Sequence, residues 1–227
     1  MFYFDSTILW VLPGLLLGLW AQSRVKSAYA KYSKVGTHSG VTAQNAVAQL
    51  LSSHGAGDVA IQPVAGQLTD HYDPSSNTLR LSQGVYASSS IAALGIAAHE
   101  AGHALQKAEN YPFLALRSVM VPVVNIGSNL AWPIFFCGLL FSWESLMFAG
   151  IIAFGLVVLF SLITLPVEFD ASRRAVAMLN DAGFLTGDEE AGVRKVLNAA
   201  ALTYVASFVS ALLQLLRLLA LMNRRRD

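Results

Sequence analysis

Residues 119–165 read VMVPVVNIGSNLAWPIFFCGLLFSWESLMFAGIIAFGLVVLFSLITL, two apolar runs with Ser142, Trp143, Glu144 and Ser145 between them. The first, Val119 to Phe141, would reach about 34 Å as a helix and the second, Leu146 to Leu165, about 30 Å, so each can cross the hydrocarbon core of a bilayer. A connection this short permits only an antiparallel helical hairpin, so the chain leaves one side of the membrane near Arg117 and returns to it near Pro166. Pro122, Asn125, Asn129 and Pro133 fall inside the first run. Unmatched polar groups are costly in lipid, so these are expected to face other helices or a wet cavity, or to act as glue between helices.

Working outward, a third apolar run, Phe2 to Ala21, carries Trp10 and Trp20 and is followed by Arg24, Lys26, Lys31 and Lys34, with only Asp5 at its other end. The positive-inside rule puts residue 22 onward in the cytoplasm. A cleaved signal peptide would carry its positive charge ahead of the apolar stretch, and none is there. A fourth run, Ala199 to Met222, contains Gln214 and Arg217 and ends in Arg224, Arg225 and Arg226. Either it crosses against the charge rule or it lies on the protein or the membrane surface. The whole composition agrees with this reading: 55% hydrophobic against 13% charged residues is too apolar for an ordinary soluble protein. A net charge of +1 supplies no field to recruit nucleic acid, so none is expected as a partner. The single cysteine, Cys137, forbids an intrachain disulfide and is expected to be a small buried hydrophobe.

The remainder is polar. Thr42 can cap a helix running to about His54, and Val59 to Val64, Gln67 to His71 and Thr78 to Ser82 read as short strands. The last two flank Asp73-Pro74-Ser75-Ser76-Asn77, turn chemistry that makes them a hairpin. Ser90 caps an alanine-rich helix from Ile91 to about Lys107. The fold class expected is a mainly α membrane protein of one domain over residues 1–227. It has three or four membrane helices (2–21, 119–141, 146–165 and, if it crosses, 199–222). A small α+β cytoplasmic part, residues 22–118 and 166–198, is zincin-like.

That alanine-rich helix contains His99-Glu100-Ala101-Gly102-His103, an H-E-x-x-H pattern. Four-residue spacing stands both imidazoles on one face a turn apart, where both can reach one zinc ion, and Glu100 projects beside it as general base. The small residues Ala97, Ala98, Ala101, Gly102 and Ala104 let neighbouring backbone and substrate come close. A core-histidine reading must explain a glutamate in an apolar helix, a group rarely buried without a partner. A catalytic zinc needs a third protein ligand and an open position. Glu109 sits where the longer H-E-x-x-H-x-x-G-x-x-H pattern puts its third ligand, but Gln106 stands in place of the glycine that turns the chain. Glu144 falls on the far side of the membrane. The hairpin argument favours Glu168, two residues after the chain returns at Pro166, with Asp170 as a partner able to orient a histidine ring.

His71-Tyr72-Asp73-Pro74, Leu79-Arg80-Leu81-Ser82, Val85-Tyr86, Ala97 to Ala104 with Gln106, and Leu165 to Ala175 together resemble the bacterial membrane zinc metallopeptidases of the YugP type, over nearly the whole chain. More distantly the chain is similar to the HtpX heat-shock protease and CAAX prenyl endopeptidase group. That group carries a glutamate ligand in a Glu-x-x-x-Asp motif after a membrane hairpin, so the similarity implies Glu168 as third ligand. Ser172 stands where the group has aspartate, which passes the orienting role toward Asp170. The resemblance further implies one zinc ion per chain and cleavage of peptides or membrane proteins at the cytoplasmic face of a bacterial inner membrane, with a part in membrane-protein quality control. It also implies an edge strand beside the metal that pairs with substrate; Thr78 to Ser82, with Arg80 and Leu81, is expected to fill that role. Tyr204 and Arg217 are weaker candidates to bond the oxyanion. Two rival readings are an intramembrane protease with an aspartate ligand and a transporter or scaffold with a structural zinc; the first lacks any aspartate between Asp73 and Asp170, the second lacks a second thiol.

Overall fold

The computed structural model describes residues 6–223, so Phe2 to Asp5 of the first apolar run and the Arg224 to Arg226 cluster lie outside it. Contacts divide the chain into two compact units, one of residues 1–21, 115–165 and 203–227, the other of residues 22–114 and 166–202.

In the first unit the described residues belong to long apolar helices, which also supply residues to the second unit. A 3-10 stretch, Ser6–Val11, leads into α1 (Leu12–Tyr32), and α5 (Pro112–Leu140), α6 (Glu144–Asp181) and α7 (Gly187–Asn223) follow later in the chain. All four helical stretches are long and apolar enough to cross a membrane, the last including the run whose crossing the arginines left open. Leu16, Val119, Ile126, Leu140 and Phe141 are each more than three-fifths exposed, a surface that water would reject and lipid would not. The expected hairpin forms, with backbone against backbone. A Cβ on Gly138 would lie 2.5 Å from Met147 N, and one on Gly150 2.8 Å from Phe135 N, so only glycine admits the approach. Phe135, fully buried, sits with Ala131, Met147, Ile151, Phe154, Leu218 and Met222 in the core of this unit. Asn125 and Asn129 are exposed, and Asn129 Nδ2 donates to the Asn125 carbonyl of its own helix at 2.8 Å. One expectation fails here. Cys137 is exposed, because a thiol is apolar enough for a lipid-facing surface.

The second unit is α+β. Helix α2 (Ala43–Ser53) buries Ala46, Val47, Leu50 and Leu51 at helical spacing, although the Thr42 side chain makes no capping bond. Three strands, β1 (Ala60–Val64), β2 (His71–Asp73) and β3 (Thr78–Ser82), form a sheet in the order β1-β3-β2, with β1 parallel and β2 antiparallel to β3. The second strand starts at His71 rather than Gln67. Gly66 at φ 107° and Leu68 at φ 56° take the preceding backbone out of the extended region. Asp70 accepts from the backbone N–H and the hydroxyl of Ser82, tying this loop to the end of β3. The hairpin turn is organised by Asp73, which accepts from Ser75 and Ser76 and pairs with Arg80 at 3.0 Å.

Strand β3 is therefore central, with partners on both edges, and the edge-strand role expected of Arg80 and Leu81 is corrected. Leu79 and Leu81 are fully inaccessible, and that pull into the core places β3 mid-sheet. A short α3 (Gln83–Tyr86) leads to α4 (Ile91–Ala108), capped as expected by Ser90, whose Oγ accepts from Ala93 N at 3.2 Å. Helix α4 runs through the core of the unit, with Ala97, Ala98 and Ala101 fully buried and Ala104 nearly so. These small residues serve packing. Helix α6 does not stop at Pro166, the expected end of the membrane segment, but continues to Asp181. Proline removes one N–H, and the rest of the ladder carries on, so Glu168, Asp170, Ser172 and Arg174 share one helix.

Candidate metal centre

Helix α4 presents His99 and His103 a turn apart, their rings edge to face with centroids 4.7 Å apart. Helix α6 brings Glu168 to them. Its Oε2 lies 3.3 Å from His99 Nε2 and 3.6 Å from His103 Nε2, and the carboxylate is only 2% exposed. One nitrogen from each ring and one carboxylate oxygen all fall within 4.8 Å of one another, the arrangement that could hold a metal ion. Bonds of about 2.0–2.2 Å in tetrahedral geometry put neighbouring ligand atoms roughly 3.4 Å apart, so the His₂Glu donors fit zinc. Among the described residues the cluster has three protein donors, one fewer than a tetrahedral site takes.

The approach of the two helices is set by Gly102, where a Cβ would meet the Ala171 carbonyl oxygen at 2.7 Å. Within α6, spacing of four residues puts Glu168 and Ser172 on one face, and Ser172 Oγ lies 3.1 Å from His99 Nδ1. His103 Nδ1 meets Gln106 Oε1 at 3.0 Å. Gln106 Nε2 in turn donates to the Val167 carbonyl at 2.8 Å and to Asp170 Oδ2 at 3.0 Å. Asp170 also takes Arg174 Nε at 2.5 Å and Arg173, and Arg174 continues to Glu109 at 2.7 Å. Asp170 thus reaches a histidine only through Gln106, and Glu109, the rival third ligand, is engaged by Arg174. Glu100, beside the cluster, accepts the backbone N–H of Tyr72 in β2 on Oε2 at 3.0 Å. Arg80 and Leu81 are not among these contacts; Arg80 is turned to Asp73. Arg217 bonds Thr7 Oγ1 at 3.3 Å.

Burial alone would push the His103 imidazolium down, but bonding to Glu168 and the charge of Glu100 outweigh it, and the net shift is upward. A buried carboxylate held against two imidazoles calls for positive charge, supplied by a proton or a metal cation. Sequence reasoning gave no role to Gln106, which it met as the residue replacing a glycine and as part of the family resemblance, and it missed the Tyr72 N–H. The signal for Gln106 was an amide one turn past His103 in a helix rich in alanine.

Membrane-length apolar helices together with a His₂Glu cluster, its histidines on the H-E-x-x-H helix and its glutamate on α6, define the class: a membrane protein with the donor set of a zinc metallopeptidase. Residues 7–223 match the family described as "Putative neutral zinc metallopeptidase", and the chain belongs to it. It is 47% identical over 216 residues to the "Putative membrane protease YugP" of Bacillus subtilis (strain 168), covering 95% of this chain and 96% of that relative. No solved structure matches.

Proposed function

We propose that this protein is a membrane-integrated zinc endopeptidase that hydrolyses peptide bonds at the cytoplasmic face of a bacterial inner membrane. The observation that carries the reading is the convergence of His99, His103 and Glu168 with Glu100 beside them. His99, His103 and Glu168 would hold the metal. When bound, zinc supplies Lewis acidity, lowering the pKa of a water and polarising the scissile carbonyl. Glu100, steadied on one oxygen by the Tyr72 N–H, takes a proton from the attacking water with its carboxylate and delivers it to the departing amine nitrogen. Ser172 and Gln106 keep the two imidazoles turned toward the cluster.

The cytoplasmic placement rests on Arg24, Lys26, Lys31 and Lys34 following the first apolar run. Peptides and membrane proteins are the substrates this placement favours, with membrane-protein quality control as the setting. The cluster's carboxylate is a glutamate from the α+β unit, which favours this reading over intramembrane cleavage through an aspartate. Among the described residues the cluster has three ligand groups rather than four, which favours this reading over a structural zinc.

Zinc content and casein cleavage, measured in detergent for wild type, Glu100→Gln and Glu168→Ala, test the assignment. Glu100→Gln is expected to keep zinc and lose about 10²–10⁴ in rate, and Glu168→Ala to lose both metal and cleavage. Cleavage that survives Glu100→Gln would sink the proposed base, and zinc retained by Glu168→Ala would sink the third ligand.

A further inference from the structure

We infer that Gln106 selects the imidazole tautomer of His103 and so presets its Nε2 as a zinc ligand; this rests on the metallopeptidase reading of the same site. The amide of Gln106 is fully buried, so its orientation is decided by its neighbours rather than by water. Its nitrogen faces two acceptors that cannot donate, the Val167 carbonyl at 2.8 Å and Asp170 Oδ2 at 3.0 Å. Only the amide NH₂ satisfies both, and turning the group over would leave oxygen against oxygen at each contact. Oε1 is therefore committed to the remaining neighbour, His103 Nδ1, at 3.0 Å.

An acceptor at Nδ1 requires a proton there. Where a cation rather than a proton answers the Glu168 carboxylate, the ring is neutral and its lone pair falls on Nε2, which faces that carboxylate at 3.6 Å. The same amide spans the two helices that supply the ligands. Its bond to the carbonyl of Val167, the residue before Glu168, holds that turn of α6 against α4. Asp170 completes the chain: Arg173 and Arg174 engage its carboxylate and hold it as an acceptor for Gln106. Gln106 is thus a positioning residue, acting on the metal through His103 and on Glu168 through the backbone.

The test uses the full-length protein in detergent with ¹⁵N-histidine labelling, assigning His103 by the signal lost in His103→Gln. In the metal-free Glu168→Ala protein, where no carboxylate competes for the Nε2 proton, and at a pH above which the His103 signals no longer move, Nδ1 is expected to give the protonated-nitrogen shift and Nε2 the unprotonated one. With Gln106→Met added, similar in shape but without the amide, the two tautomers should mix. Zinc affinity of Gln106→Met alone, measured against a chromophoric chelator, should fall roughly 10- to 100-fold. A proton on Nε2 in the Glu168→Ala protein overturns the inference even if Gln106→Met does not fold. So does a Gln106→Met protein with unchanged tautomer and zinc affinity within about twofold of wild type. If the wild type takes up no zinc, the metallopeptidase reading fails instead, and the tautomer measurement still judges Gln106.

Discussion

At the scale of single residues, both imidazoles of the cluster are backed by uncharged groups, Ser172 on His99 and Gln106 on His103. A neutral partner orients a ring with less gain in basicity than a carboxylate would give. Ser172→Ala should therefore weaken zinc binding by about tenfold. Ser172→Asp should restore or exceed the wild-type affinity, both read by chelator competition. Equal affinity in all three proteins would remove Ser172 from the site. Away from the metal, Asp73 shows a linkage of defined sign. Hydrogen bonds from Ser75, Ser76 and Arg80 hold its carboxyl below the ordinary range. A depressed folded-state value stabilises the hairpin above the unfolded value of about 3.9 and loses that contribution as pH falls below it. Wild type should thus lose stability between about pH 4 and pH 2 more steeply than Asp73→Asn, in denaturant titrations across that window.

Among the elements, the contact of α4 with α6 sets the spacing of the ligands, and Gly102 sets the contact. A methyl at Gly102 would overlap backbone, which cannot rotate away as a side chain can. Gly102→Ala is expected to cost about 1–3 kcal/mol and to lower zinc content by pushing Glu168 from the histidines. Gly155→Ala in α6, where an added Cβ meets nothing within 4 Å, is the control and should leave both unchanged. Full zinc content in Gly102→Ala would show that the helices have slack. The α4 helix itself was legible in advance, because Ser90, the alanine run and the i, i+4 histidines are local signals. The place of β3 was not, since a five-residue strand reads alike at an edge or in the middle until its partners are known. The second strand failed for a local reason as well: the left-handed backbone at Leu68 has no mark in an alternating polar pattern.

For the whole molecule, the described residues hold four helical stretches of membrane length, and four crossings would return the C-terminus to the side of the N-terminus. A compartment-sensitive reporter fused after Asp227 is expected to report that side, outside the cytoplasm, despite the terminal arginines. A cytoplasmic signal would mean that α7 does not cross. What the sequence determined by itself was whatever depends on runs and spacing: the membrane helices, the hairpin between residues 119 and 165, the histidine pair and its glutamate. Periodicity and length are properties of contiguous residues, so they survive without the fold. The tertiary structure alone decided which distant groups meet: that Glu168 rather than Glu109 faces the histidines, that Asp170 acts through Gln106, and that Tyr72 steadies Glu100. Those partners lie 28 to 69 residues apart in the chain, and only the packing of α6 and β2 on α4 brings them within reach.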